Sequence, residues 1–84
     1  MITYEFTKRA DRQLQKLPFP VQRRVVKKIK HYIETGDPLH FADTVSGASG
    51  KIYRFRIGDY RVIFDWEDNK IVVTEVGPRD TVYS

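Results

Sequence analysis

Residues 51–66, KIYRFRIGDYRVIFDW, constrain the fold of this 84-residue chain more than any other stretch. Two runs rich in aromatic and β-branched residues flank Gly58-Asp59, a Gly-X pair suited to the two-residue type II′ turn of a β-hairpin. Because the turn type and loop length set the pairing of a hairpin's strands, the register follows from the turn. The sequence therefore predicts both the hairpin and the partner of each of its residues.

The predicted register gives the hairpin two chemically different faces. One face holds three apolar pairs, which are Ile57 with Tyr60, Phe55 with Val62, and Tyr53 with Phe64. The other face pairs Arg56 with Arg61, Arg54 with Ile63, and Ile52 with Asp65. Like charges directly opposite each other destabilise a sheet, so the arginine pair calls for an explanation. Two interpretations are open, a solvated cluster neutralised by nearby acids or a site for a polyanion such as a phosphate backbone.

The first 36 residues predict a strand and two short helices. Apolar and polar residues alternate over 2–7, as in a half-buried strand, and Thr7 suits the N-cap of a first helix. Prolines at 18 and 20 end that helix and begin a second, which Gly36 ends. The second helix carries an apolar stripe at helical spacing, formed by Val21, Val25, Ile29, Tyr32 and Ile33.

The register of the last strand, over 70–76, depends on the turn before it. A three-residue loop with Asn69 in the left-handed conformation places Glu75 opposite Arg61 on the open face. A two-residue loop would place Glu75 opposite Val62 on the core face, where an unpaired carboxylate is costly. We therefore expect the three-residue loop.

Together these elements predict a single α+β domain over residues 1–84. An N-terminal strand and a helical hairpin precede a three-stranded antiparallel meander, and residues 37–50 connect the two parts. The helices should pack on the apolar face of the sheet and leave the arginine-bearing face open.

Composition narrows the class of partner. Residues 1–36 carry nine Lys or Arg and three Asp or Glu, whereas residues 37–84 carry six and eight, within a net charge of +4. This basic first half favours an acidic partner such as nucleic acid. The chain has no cysteine and no metal-ligand motif, so we expect no metal site. Without a signal-peptide run or membrane-length window, we expect a cytoplasmic protein without membrane contact.

Residues 53–66, YRFRIGDYRVIFDW, and 76–84, VGPRDTVYS, resemble the RelE/ParE superfamily of toxins from type II toxin–antitoxin modules. The most specific parts are GDYRVIF and the spacing from Arg79 to Tyr83 after VG. The resemblance implies a RelE-like fold, a cognate antitoxin partner and a toxin–antitoxin hetero-oligomer. RelE toxins of this superfamily cleave mRNA in the ribosomal A site, whereas ParE toxins poison DNA gyrase.

The resemblance also implies the site residues. Arg54 and Arg56 stand where RelE toxins have two lysines, Arg61 matches the arginine of the GxYR motif, and Arg79 and Tyr83 match a tail arginine and tyrosine. All five suit contact with phosphate or base, which favours the RelE branch. The implied activity is ribosome-dependent mRNA cleavage without metal or cofactor. The ribose 2′-OH attacks the adjacent phosphate, and clustered guanidinium groups stabilise the developing dianion.

Proton transfer has several candidates. Arginine does not readily release a proton, and Pro78 stands where many relatives have histidine. Tyr83 could stack on a base or assist proton transfer. Glu75 is a candidate general base, although we favour a role as counter-ion of Arg61.

Basic residues of the second helix are candidates for contact with ribosomal RNA, with a solvated helix face as the alternative. They are Arg23, Arg24, Lys27, Lys28 and Lys30. Three functions thus stay open, which are an mRNA endonuclease, a gyrase inhibitor without nuclease activity, and a module that only binds its antitoxin. A gyrase binder has no need for the arginine cluster and Tyr83 in one site, so the sequence favours the endonuclease.

Overall fold

The computed structural model describes residues 1–45 and 52–79, in which two helices pack on one face of a five-stranded mixed sheet. The elements in chain order are β1 (Thr3–Phe6), α1 (Lys8–Gln15), α2 (Phe19–Glu34), a 3₁₀ turn (Pro38–Phe41), β2 (Ala42–Thr44), β3 (Ile52–Ile57), β4 (Tyr60–Glu67) and β5 (Lys70–Pro78). The strand order is β1-β5-β4-β3-β2, with β1 parallel to β5 and the other pairs antiparallel. The predicted α+β class is confirmed.

Local sequence accounts for the helix boundaries. The Oγ1 of Thr7 accepts a hydrogen bond from the Ala10 N–H at 3.1 Å, so Thr7 caps α1 as predicted. Pro20 lies in the first turn of α2, where a backbone N–H has no helical partner to lose. Gly36 has a φ of +84°, the left-handed conformation that ends many helices. Neither of the described helices combines the length and the apolar character that crossing a membrane requires.

We expect Thr7→Ala to lower the free energy of unfolding by about 1 kcal/mol, because it removes the acceptor that caps α1. Thr7→Ser keeps a hydroxyl at the same position and should stay within about 0.5 kcal/mol of the wild type. Urea denaturation of both variants checks the expectation. Equal losses would contradict the capping role.

The hydrophobic core lies between the helices and the sheet. All six predicted residue pairs of the β3–β4 hairpin are confirmed, and Gly58 has the positive φ of +60° that the first position of a type II′ turn requires. The apolar face of the hairpin is buried under α2. An aromatic series with ring centroids 4.4 to 5.7 Å apart runs through this core, formed in order by Tyr53, Phe64, Phe55, Tyr32 and Phe41.

The edge strand β2 was not predicted, because residues 37–50 were expected to form only a connection. Ala42, Asp43 and Thr44 pair antiparallel with β3. A three-residue strand is too short to show the alternation by which strands are recognised. It forms where the outer edge of β3 would otherwise leave backbone groups unpaired.

The turn between β4 and β5 corrects the predicted loop length. Asp68 and Asn69 have φ angles of +50° and +60°, and Glu67 pairs with Lys70 across them. Positive φ at both central positions defines a two-residue type I′ turn. The expected three-residue loop was wrong.

A β-bulge then changes the register of β5. The strand pairs with β4 through Val73 and next through Glu75, so Thr74 is an extra residue. Glu75 consequently lies opposite Ile63, and its predicted pairing with Arg61 was wrong. The argument that Glu75 should avoid the core was sound, but a bulge rather than a longer loop keeps it on the open face.

Candidate functional site

Four arginines lie close together on the side of the sheet that faces away from the helices. Arg54 and Arg56 are on β3, Arg61 on β4 lies directly opposite Arg56, and Arg79 follows β5. The N–H of Arg79 donates to the Asp59 carbonyl at 3.0 Å, which ties the end of β5 to the hairpin turn. We call the surface formed by Arg54, Arg56, Arg61 and Arg79 the arginine face.

Arg61 lies in repulsive electrostatic surroundings. Partial desolvation, followed by repulsion from Arg56, Arg54 and Arg79, lowers the pKa of Arg61, and Asp43 acts in the opposite direction. A guanidinium nevertheless stays protonated at neutral pH, so deprotonation does not relieve the repulsion. An anion close to these side chains would relieve it.

Asp43 is a member of the site that sequence reasoning missed. Its Oδ2 accepts a hydrogen bond from Nη2 of Arg54 at 3.2 Å and lies 3.1 Å from Nε of Arg56. The contact exists because β2 pairs with β3 and places Asp43 beside Arg54. No local pattern marks Asp43, since the strand that carries it is a product of tertiary pairing. An acid beside the arginines is what the solvated-cluster interpretation required.

Glu75 forms an ion pair with a residue of helix α1. Its Oε1 lies 3.2 Å from Nη1 of Arg9 on α1. On the same helix, Oε1 of Gln13 accepts a hydrogen bond from the Val76 N–H at 2.8 Å. Helix α1 therefore covers the edge of β5 and holds the Glu75 carboxylate beside Arg9. The Arg9 contact was not predicted, and a role of Glu75 in proton transfer stays a prediction.

Tyr83 lies outside the described residues, so its predicted place beside the arginines stays a prediction. The arginine face offers hydrogen-bond donors, which suit an anion rather than a metal ion. In residues 1–45 and 52–79, no three His, Asp or Glu side chains form a group able to hold a metal ion.

The predicted RNA-contacting residues of α2 form a second and separate basic surface. We call it the basic helix surface, and its five exposed members are Arg23, Arg24, Lys27, Lys28 and Lys30. The guanidinium of Arg23 lies 5.8 Å from the ring centroid of the exposed Phe19. Nη1 of Arg24 lies 3.2 Å from the point that a Cβ at Gly58 would occupy, so this side chain reaches the hairpin turn. The sheet separates most of this surface from the arginine face.

The sequence over residues 4–83 matches the family described as the ParE toxin of type II toxin-antitoxin system, parDE. The chain therefore belongs to this family of the RelE/ParE superfamily, and it is a toxin of a type II toxin–antitoxin system. The predicted membership is confirmed. A comparison with curated proteins finds no match.

Solved structures with a similar fold include chains of several toxin–antitoxin complexes. A chain of the RelBE2 complex from Mycobacterium tuberculosis is 26% identical, with a TM-score of 0.78 over 93% of this chain and 98% of that one. The RelE–RelB complex from Pyrococcus horikoshii gives 28% identity and a TM-score of 0.64 over 96% and 97%. A chain of the Escherichia coli RelBE complex is 21% identical, with a TM-score of 0.74 over 93% of this chain and 96% of that one. This match shows a likeness of fold alone. The predicted RelE-like fold is confirmed.

Proposed function

We propose that this toxin is a ribosome-dependent mRNA endonuclease that cleaves in the A site and so inhibits translation. The observation that carries the proposal is the convergence of four arginines on one open sheet face. Such a cluster opposes folding, because Arg56 and Arg61 face each other and repel. A phosphodiester backbone would supply the negative charge that makes the same arrangement favourable.

The proposed reaction is an intramolecular phosphoryl transfer. The ribose 2′ oxygen forms a bond to phosphorus, and the bond from phosphorus to the 5′ oxygen breaks, which leaves a 2′,3′-cyclic phosphate and a 5′-OH. Negative charge builds up on the non-bridging oxygens of the five-coordinate phosphorus. Arg61 and Arg79 are proposed to clamp these oxygens, assisted by Arg54 and Arg56. One preorganised donor at such a position contributes roughly 3 kcal/mol of transition-state stabilisation.

Two proton transfers accompany the reaction, one from the 2′-OH and one to the leaving 5′ oxygen. We assign the first to Glu75 as proton acceptor and the second to Tyr83 as proton donor, because a guanidinium holds its proton too tightly to serve as an acid or base. Glu75 lies on β5 opposite Ile63, which is two residues along β4 from Arg61, and it carries a carboxylate that can accept a proton. The positive charge of the arginine face would favour the phenolate of a tyrosine placed beside it, which would make Tyr83 a stronger proton donor there.

Ribosomal RNA is the proposed ligand of the basic helix surface. Its cations lie along one exposed side of α2, and this spacing suits contacts with successive phosphates rather than with one small anion. Binding of this kind releases counterions, so ribosome affinity should fall steeply as salt increases.

A cognate antitoxin is the proposed protein partner, because several of the similar solved structures are complexes of RelE with RelB. The arginine face is the surface that such an antitoxin must cover or distort to block RNA. Toxin and antitoxin together would form the hetero-oligomer that the superfamily resemblance implies.

Inhibition of DNA gyrase is the second candidate, because the matching family is that of ParE toxins. Binding to gyrase would not require a group of phosphate-binding side chains on an open sheet face. The arginine face therefore favours the endonuclease.

Expression of the toxin in a bacterial host should arrest growth and produce new mRNA 5′ ends in phase with codons. Mapping of mRNA 5′ ends before and after induction measures this. Growth arrest with intact mRNA and induced DNA damage would support gyrase inhibition and overturn the endonuclease. Absence of arrest would indicate a module that only binds its antitoxin.

A further inference from the structure

The carboxylate of Asp43 already occupies a position at which an anion would meet two members of the arginine face. Its Oδ2 is 3.2 Å from Nη2 of Arg54 and 3.1 Å from Nε of Arg56. A phosphate oxygen bound by guanidinium groups would lie at similar distances. A phosphate cannot take this position while Asp43 holds both arginines.

We propose that Asp43 is an internal counter-ion that competes with RNA phosphate for Arg54 and Arg56, and that an incoming phosphate displaces it. The inference rests on the proposed function, in which the arginine face binds RNA. It gives Asp43, a residue outside the group that the family resemblance implies, control over the affinity of the site.

Side-chain exposure indicates that Asp43 can be displaced from Arg54 and Arg56. Asp43 is 52% exposed and Arg56 is 59% exposed, and ion pairs at this level of exposure are weak. Arg54 is only 14% exposed, so the surrounding sheet holds it in place without help from Asp43. The Asp43 side chain can therefore turn away while Arg54 keeps its position.

The electrostatics around Arg61 point in the same direction. Arg54, Arg56 and Arg79 repel its charge, and Asp43 offsets part of that repulsion. Removing the charge of Asp43 leaves the arginine face with more uncompensated positive charge. An external phosphate should then bind more tightly.

The test compares Asp43→Asn with Asp37→Asn, which makes the same chemical change at an exposed position whose side chain caps no helix. The probe is a short single-stranded RNA in which 2′-methoxy groups prevent cleavage, titrated into the purified full chain in a calorimeter. Inorganic phosphate is titrated in parallel to separate the phosphate contribution from base contacts. We expect Asp43→Asn to bind the RNA about five- to tenfold more tightly than the wild type, and Asp37→Asn to bind it equally.

Arg61→Ala separates failure of this inference from failure of the proposed function. If Arg61→Ala weakens RNA binding but Asp43→Asn does not strengthen it, displacement is overturned and the arginine face remains the RNA site. Weaker binding by Asp43→Asn would likewise overturn displacement and would make Asp43 a positioning residue. If neither Arg61→Ala nor Asp43→Asn changes RNA binding, both proposals are overturned. Asp43→Ser is a second variant that removes the same charge. Thermal unfolding of every variant shows whether a change in RNA binding reflects a folding defect.

Discussion

Arg61→Ala should reduce mRNA cleavage by about 100-fold or more, the largest effect on activity that we expect from one substitution. Removal of one preorganised donor from an oxyanion site costs about 100- to 1000-fold in rate. Arg61 lies opposite Arg56 and is close enough to the other arginines of the arginine face for their charges to lower its pKa. Because the substitution also relieves that repulsion, the variant should remain as stable as the wild type.

Two further variants show whether the loss reflects the site. Arg12→Ala removes the same charge from an exposed position on α1 and should leave cleavage within about twofold of the wild type. Arg61→Lys keeps the charge but loses the planar fork, so its rate should lie between those of the wild type and Arg61→Ala. Single-turnover cleavage on ribosomes loaded with mRNA measures all three. Equal losses in Arg61→Ala and Arg12→Ala would contradict a specific role for Arg61.

Phe64→Ala should lower the free energy of unfolding by about 3–5 kcal/mol, the largest effect on stability that we expect. The ring is fully buried on β4 and stacks on Phe55 at 4.4 Å and Tyr53 at 5.7 Å between ring centroids. A domain of this length has a small core, so this loss is a large fraction of its total stability. The variant should be substantially unfolded at growth temperature and non-toxic for that reason.

Two further phenylalanine substitutions test whether the cavity left by Phe64→Ala causes its loss of stability. Phe19→Ala removes the same side chain from a position that is 67% exposed and should cost about 1 kcal/mol or less. Phe64→Leu keeps a large apolar side chain and should recover much of the loss. Urea denaturation gives the free energies. A similar loss in Phe19→Ala and Phe64→Ala would contradict an effect of core burial.

One of these predictions concerns activity and the other concerns stability, because alternate residues of the hairpin lie on opposite faces of the sheet. Phe64 belongs to the face that packs against the helices, whereas Arg61 belongs to the face that stays open. Substitutions on the apolar face should reduce activity only through stability. Substitutions on the arginine face should change activity at nearly constant stability.

Much of the molecule could be predicted from local signals. The type II′ turn at Gly58 and the alternation of its flanking strands were sufficient for every residue pair of the hairpin. The caps at Thr7 and Gly36 were likewise visible, because capping depends on residues within one turn of the helix end. These interactions join residues that are close in sequence.

Two of the features that could not be predicted depend on contacts across the sheet. Strand β2 exists because β3 accepts it at the edge of the sheet, and the extra residue Thr74 exists because it keeps Glu75 out of the core. Periodicity contains no information about either, since both depend on what lies across the sheet. The shorter loop and the bulge together changed the partner of Glu75.

The sequence by itself determined where the arginine face lies, because a two-residue turn and strict alternation place Arg54, Arg56 and Arg61 on one side of the hairpin. Only the tertiary structure decided which acid accompanies these arginines. Asp43 reaches them through the pairing of β2 with β3, whereas Glu75 is held by Arg9 on α1. The physical reason is that register is local in a hairpin with a two-residue turn and no bulge, whereas the pairing of charges across strands and helices follows from how the whole chain packs.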